Sequence, residues 1–494
     1  MAAKATRRAF SAAELETAKD PYEANRIVFD WICDDADRNA LYAYLNHPDN
    51  KLPSPFSVYS RAKYNNNPAP LKDDHSASIG STVYLITRRD HIQKVFIDTA
   101  NFSNLPYSDI GSGAFMLGLD PGGNPDLHQR QREVLKTALP RGAGSEQWIQ
   151  RLSVLAVQEA KVMALRQRTF DAADFAEQAG LRFCLKLFGF ATSDYALLED
   201  ALRKAYHSMN YQMMGRHFLS EPLTLPTARE AMAKLASRIS HLIDEYQHLS
   251  RYPRWDARKG DPRSSHRLLP EGAEPLSDYG LTGFVSVIQS LSINSEANSV
   301  LTGQERAVVV VGTLAGIVGN IQASAAIGLE HLLHELAPGG SASGTTPSHF
   351  VNDPKKSLWA YIADGMNKNP PAPYLPRIVC GDNAMLGGTH LPKGTELILM
   401  VGAGTSQAIS GGCPVHPKED PLVFGFGSDE YGGSDYPSPH WCVGDYLARP
   451  LIEEVVRQTL LLPGLARRLD PITAEPMRLE KRWGFGCEDR KSVV

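Results

Sequence analysis

The stretch that decides the reading is Phe424-Gly425-Phe426-Gly427, followed after Ser428 to Pro439 by His440-Trp441-Cys442-Val443-Gly444-Asp445-Tyr446-Leu447-Ala448-Arg449. It places one cysteine on a glycine-bounded loop ahead of a segment, running to Leu460, whose pattern is helical. A free cysteine titrates near pH ~8.5, so a permanent thiolate needs a metal or the positive end of a helix beside it. Gly444 lets backbone N–H groups approach the sulfur with no side chain between them. Pro450 interrupts the helical run and is expected to kink it. Taken alone, Cys442 reads better as a small buried core residue, which is how most free cysteines are used.

Composition narrows the class. The chain has 494 residues, is 43% hydrophobic and carries a formal net charge of -4, which gives no electrostatic case for nucleic acid. Its six cysteines form no C-x-x-C pair, so neither a zinc ribbon nor a disulfide framework is indicated. Met1 to Asp20 is polar and charged and lacks an apolar signal or anchor stretch, so a cytoplasmic protein is expected. Ala307 to Leu329 carries no charge and is long enough to cross a bilayer. Asn320, Gln322 and Ser324 past its middle, and the absence of flanking basic clusters, favour a buried core helix and no membrane span.

Elsewhere the patterning is mostly helical. Phe175, Ala179, Phe183 and Leu187 recur every four residues, and Met232, Leu235, Ile239, Leu242 and Tyr246 alternate spacings of three and four. Thr82 to Ile86 reads as a strand. Residues 250 to 276 and 339 to 356 read as loops or insertions, and neither resembles a domain linker. A single domain over 1–494 is the expectation.

These residues together resemble the cytochrome P450 family, whose cysteine loop follows F-G-x-G-x-H-x-C-x-G and leads into a helix carrying L-A-R. Phe424, Gly425, Gly427, His440, Cys442, Gly444, Leu447, Ala448 and Arg449 match, although eleven additional residues separate the last glycine from His440. Asn124-Pro125-Asp126-Leu127-His128-Gln129-Arg130-Gln131-Arg132 is similar to the family's D-P-x-x-H-x-R-x-R, with Asn124 replacing the aspartate. His128 and Arg132, four apart, share one helix face. The resemblance implies that they bind haem propionates, as does Arg377. Leu386-Gly387-Gly388-Thr389-His390-Leu391-Pro392-Lys393-Gly394-Thr395 resembles the family hairpin L-G-G-x-x-I-P-K-G-T, and read on its own it is two edge strands punctuated by glycines.

What the resemblance implies is a mainly α fold with a small β region enclosing haem b (iron protoporphyrin IX). Cys442 would be the iron ligand, with His128, Arg132, Arg377 and His440 contributing to cofactor binding, and the reaction would oxidise a small apolar substrate. Two departures matter. The E-x-x-R motif is represented by Asp364 and Asn367, so its arginine is missing. On the buried helix the family's acid and alcohol fall on Val318-Gly319 or Ile321-Gln322, neither of which supplies a carboxylate or hydroxyl.

Proton delivery by a positioned acid contributes about 10²–10⁴-fold. Its absence leaves the amides Asn320 and Gln322 as candidates for orienting an oxygen. Three readings follow: a monooxygenase, an enzyme that rearranges or uses a lipid hydroperoxide without dioxygen or reductase, and a haem-binding protein with little catalysis. No glycine-rich phosphate loop follows a strand, so a monooxygenase would need a separate ferredoxin or flavin reductase. Asp429, Glu430 and Asp435 in the extended loop would repel an acidic partner at short range.

Overall fold

The computed structural model describes residues 11–18, 23–24, 27–28, 41, 44–45, 52–59, 82–107, 115–119, 125–141, 144–165, 170–211, 223–251, 284–294, 299–403, 442–467, 472, 480–481 and 487–488. The chain enters through a short helix α1 (Ala12–Glu16) and two strands, β1 (Phe56–Tyr59) and β2 (Thr82–Ile86). Helix α2 (Arg89–Ile97) and strand β3 (Phe102–Ser103) lead to two 3₁₀ turns at Leu105–Tyr107 and Met116–Gly118. Six helices follow: α3 (Pro125–Ala138), α4 (Ser145–Ala164), α5 (Ala172–Phe188), α6 (Tyr195–Asn210), α7 (Thr224–Arg251) and α8 (Val287–Ile293). Then come the long α9 (Gly303–Glu335), α10 (His349–Asn352) and α11 (Leu358–Lys368). Strands β4 (Leu375–Val379), β5 (Met385–Leu386), β6 (Thr389–His390) and β7 (Glu396–Leu399) precede the last described helix, α12 (Asp445–Leu460).

Helix α9 organises the core because its sequence is apolar on every side. It packs against α5, α6, α7, α11 and α12, and its central stretch is mostly buried, so the protein itself surrounds the segment that passes for a membrane span by length. Its start is fixed by a capping box. Thr302 Oγ1 accepts from the Glu305 N–H at 3.2 Å, while Glu305 Oε2 accepts from the Thr302 N–H at 2.7 Å. The four-residue series Phe175, Ala179, Phe183 and Leu187 is buried along α5, as is the series from Met232 to Tyr246 along α7. Each such phenylalanine or leucine removed from water stabilises the fold by about 1.5–3 kcal/mol before entropic costs.

The main sheet runs β1-β2-β7-β4-β3, with β2 and β7 parallel and the other neighbours antiparallel. Pairing of Arg377 with Leu397 sets the register that carries Arg377 into the interior, where it is buried. The hairpin of β5 and β6 turns through Gly387 and Gly388 at φ 55° and 80°. Two successive positive φ angles suit a two-residue turn, and glycine adopts them at least steric cost. Helix α12 contains Pro450 and runs on to Leu460, the expected end of the helical run. One expectation is corrected. The segment 339–356 is not wholly loop: α10 forms within it because Phe350 buries itself against Tyr361, ring centroids 4.9 Å apart. Residues 252–276 lie outside the described residues.

Candidate functional site

Cys442 sits three residues before the start of α12, whose N-cap is Gly444. The backbone N–H of Gly444 donates to the cysteine sulfur, and an added Cβ at 444 would meet no atom within 4 Å, so space alone does not require the glycine expected from the sequence. Burial pushes the thiol up to about 11, against the pull of that N–H and of the Arg132 and Arg449 cations, while Asp445 pushes it further up. Accessible surface points the other way, because the Cys442 side chain is exposed. Both hold for a sulfur with protein atoms around it that solvent still reaches. A cation bound there would favour the thiolate.

Around this sulfur the helices assemble positive charge. His128 and Arg132 project from α3 and are both buried, so they do not form a solvated helix face. Arg132 acts electrostatically on Cys442 across the fold. Arg141, just past α3, donates to the Val443 carbonyl at 3.3 Å and lies over the Tyr446 ring at 5.0 Å, bracing the turn that carries the sulfur. Arg377 donates to the Pro376 carbonyl at 2.7 Å and lies over the rings of Phe96 (4.9 Å) and Tyr107 (5.9 Å). Burial raises the Tyr107 phenol to about 12, although Arg377 hydrogen-bonds to it and pulls it down. His440 and the loop from Phe424 to Pro439 lie outside the described residues.

Tyr107 also borders an apolar cavity of about 30 Å³ along α9. One face of that helix, Val308, Val311, Gly312, Ala315 and Gly316, forms one wall. Phe115, Met209 and Met232 lie across from it. The glycines of α9 divide into filled and open positions. A Cβ at Gly312 would overlap the Phe115 ring, one at Gly319 would overlap the Tyr206 ring of α6, and one at Gly316 would meet no atom within 4 Å. Sequence reasoning missed both rings. The seven-residue spacing of Gly312 and Gly319, two turns on one face, was the available signal.

Neither amide proposed from the sequence lines this cavity. Asn320 turns its Nδ2 back to the Gly316 carbonyl of its own helix at 2.6 Å. Gln322 donates to Glu177 Oε2 of α5 at 3.4 Å. Glu177, which no sequence pattern pointed to, accepts from Arg203 Nε of α6 at 2.5 Å. Burial raises its pKa despite that arginine, with Asp174 and Glu199 adding repulsion. The Glu177 carboxylate of α5 thus lies one hydrogen bond away from Gln322.

The altered clamp on α11 is rebuilt from neighbours. Asp364 pairs with Lys356, and Lys356 also lies over the Tyr361 ring at 4.1 Å. Tyr361 in turn donates to Asp353 at 2.5 Å. Asn367 is buried and its Oδ1 has no hydrogen-bond partner. Arg449 of α12 pairs with Asp445 at 3.4 Å and lies over Trp359 of α11 at 5.7 Å, joining the helix after Cys442 to the one that lacks the arginine.

No protein-family model matches this chain, and no curated protein sequence does. Solved structures do. The cytochrome P450 TxtC, described as hydroxylating thaxtomin at aliphatic and aromatic positions, shares 17% identity over 83% of this chain and 92% of its own, with a TM-score of 0.56. The open form of cytochrome P450 EryK from S. erythraea shares 17% over 86% of this chain and 88% of its own, with a TM-score of 0.54. Cytochrome P450 PksS, of the bacillaene polyketide synthase of Bacillus subtilis 168, shares 14% over 83% and 89%, with a TM-score of 0.56. With this architecture, and with a cysteine standing before its last described helix, the chain has the cytochrome P450 fold.

Proposed function

We propose that this chain is a haem-thiolate oxidoreductase that oxidises a small apolar organic molecule. The observation that carries the reading is Cys442: an exposed sulfur just ahead of α12 that receives the Gly444 N–H. The other residues suit the same group. Buried His128, Arg132 and Arg377 offer an imidazole and two cations for its carboxylates. A bound haem would supply activation of an oxygen–oxygen bond, which no side chain provides. The protein's part is to hold a thiolate, neutralise the carboxylates and present an apolar cavity that excludes water.

The test is the ferrous–carbon monoxide spectrum of the haem-loaded protein. Thiolate ligation moves the Soret band far to the red of that of a histidine-ligated haem, and Cys442→Ser should abolish the shift. A histidine-type band in the wild type would end the reading.

A second reading is favoured by the cavity itself. Among its described lining residues the one side-chain hydroxyl is the Tyr107 phenol, and Arg377 holds it. A site with no carboxyl acid of its own suits a substrate that already carries an O–O bond, such as a fatty-acid hydroperoxide. Turnover of such a hydroperoxide without reductant supports this second reading. Inertness, together with oxidation that depends on a separate ferredoxin or flavin reductase, supports monooxygenation.

A further inference from the structure

Three hydrogen bonds converge on one hydroxyl where the chain enters its first strand. Ser54, two residues ahead of β1, accepts at Oγ from the backbone N–H of Thr87 at 3.2 Å and from that of Arg88 at 3.4 Å. The same Oγ lies 3.1 Å from His91 Nδ1 on α2. A hydroxyl has two lone pairs and one proton. With both lone pairs taken by N–H donors, the proton goes to Nδ1, which must then be the unprotonated nitrogen. His91 is thereby fixed as the neutral tautomer that carries its proton on Nε2, 4.0 Å from Asp90 Oδ2.

The imidazole is also a wedge. It is buried, and a Cβ at Gly387 would stand 2.4 Å from its Cε1 and 3.0 Å from the Ser54 carbonyl oxygen, so ring, hairpin turn and entering segment meet at one point. Lys94 Nζ donates to the Met385 carbonyl at 2.8 Å and ties α2 to the same hairpin. An imidazolium has a proton on both nitrogens and accepts at neither. Three donors would then face the two lone pairs of Ser54 Oγ, and one would lose its partner. The Thr87 N–H belongs to a residue only 1% exposed, where an unpaired donor is costly. The surrounding charges do little for the cation. Asp90 is engaged by Arg88 at 3.1 and 2.8 Å, and Arg88, Arg89 and Lys94 are all close by on α2. Beside the hairpin, Asp382 pairs with Lys393 at 3.5 Å, and His390 lies 3.3 Å from the Asp382 carbonyl. Burial lowers the pKa of His91 against the pull of Asp90, and Arg88 and Lys94 lower it further.

We propose that Ser54 and His91 form a pH-sensitive strap: the neutral imidazole holds the segment ahead of β1 to α2 and to the β5–β6 hairpin, and its protonation releases that segment. The strand so held backs the cavity, since Phe56 and Val58 share a buried cluster with Met209, and Tyr107 packs against that cluster. The strap uses no cofactor, so its test needs no turnover.

Hydrogen exchange of the intact chain, read by mass spectrometry and corrected for intrinsic rates, tests it from about pH 7.5 to about pH 5. Protection at Thr87 and Arg88 should fall by about tenfold, the weight of one hydrogen bond, as pH drops below about 6.5, while Ile243 in α7 stays protected. In His91→Asn, whose Oδ1 can accept where Nδ1 does but does not titrate, protection should keep its neutral-pH value throughout. In Ser54→Ala it should be lost at every pH. If either variant folds poorly, the other decides together with the wild-type profile. Wild-type protection at Thr87 and Arg88 that falls no further than at Ile243, a fall of equal size and midpoint in His91→Asn, or full protection in Ser54→Ala would overturn the strap.

Discussion

Four glycines on α9 offer a graded measurement of how tightly the site is packed. In a helix interior, glycine to alanine gains about 1 kcal/mol through backbone entropy when the new methyl meets nothing. Gly316→Ala is that case, because no atom lies within 4 Å of the added Cβ. It should therefore stabilise the protein by close to the full amount. At Gly319 the same methyl overlaps the Tyr206 ring, and at Gly312 the Phe115 ring. Overpacking of this kind costs about 1–3 kcal/mol, which cancels or reverses the helix gain. Gly328→Ala should fall between, since its Cβ meets the Cγ2 of Ile362 at 2.8 Å, and Ile362 is a side chain that can shift. The expected order of stability is Gly316→Ala, then Gly328→Ala, then the Gly312 and Gly319 variants, with a spread of about 1–3 kcal/mol between the ends. Urea denaturation followed by far-ultraviolet circular dichroism reads it directly. If Gly319→Ala proves as stable as Gly316→Ala, the Tyr206 ring is not seated on the helix and the described packing is wrong.

Thr302→Ala should cost about 1 kcal/mol by removing the cap of α9, and an unchanged urea midpoint would contradict the capping box. Burial holds the imidazoles of His91 and His331 below their ordinary range, with Lys368 adding to the effect at His331. The folded state then binds fewer protons than the unfolded one. Their contribution is thus present at neutral pH and lost as pH falls from about 6.5 through the lowered values. His331→Gln should flatten that acid limb in urea midpoints measured against pH, and a limb of unaltered slope would exclude His331 as a source. Gln322→Ala removes the α9 donor to Glu177, whereas Asn320→Ala removes only a bond within the helix. Of the two, Gln322→Ala should have the larger effect on hydroperoxide turnover, and equal, wild-type rates in both would remove either amide from the chemistry.

Much of the fold could be read from short-range pattern. The buried series on α5 and α7 followed from spacings of three and four, the strand Thr82–Ile86 from its β-branched and aromatic content, and the hairpin turn from Gly387-Gly388. Each is a property of neighbours along the chain. His128 and Arg132 were also within reach of the sequence, since helix geometry alone puts them on one face. What escaped detection was contact between distant segments. Phe115 and Gly312 are nearly two hundred residues apart, and Tyr206 and Gly319 more than one hundred. Nothing local marks Glu177 as the neighbour of Gln322, because an acid on a helix with polar flanks has the pattern of a solvated face. The helical run to Leu460 was legible despite Pro450, and packing of α12 on α9 and α4 accompanies its continuation through that residue.

The departures from the family pattern share one physical logic. Gly319 stands where a side chain bearing a hydroxyl was expected, and the space is taken by the Tyr206 ring from α6. A threonine at 319 would first have to expel that ring, so the glycine and the tyrosine constrain each other. In the other register Ile321 takes the acid's place and Gln322 the alcohol's, and Gln322 donates to Glu177, whose charge is shared with Arg203 on α6. Asp364 keeps its carboxylate but turns it to Lys356, and the helix after Cys442 reaches α11 through Arg449 over Trp359. At Gln322 the charged group lies off α9, at the contact between α5 and α6. An apolar cavity wall follows from that redistribution. Desolvating a lone carboxylate costs several kcal/mol, whereas one placed between α5 and α6 has a guanidinium within hydrogen-bond distance. The wall along α9 is thereby left to glycine, alanine and valine, the residues that decide what can lie against it.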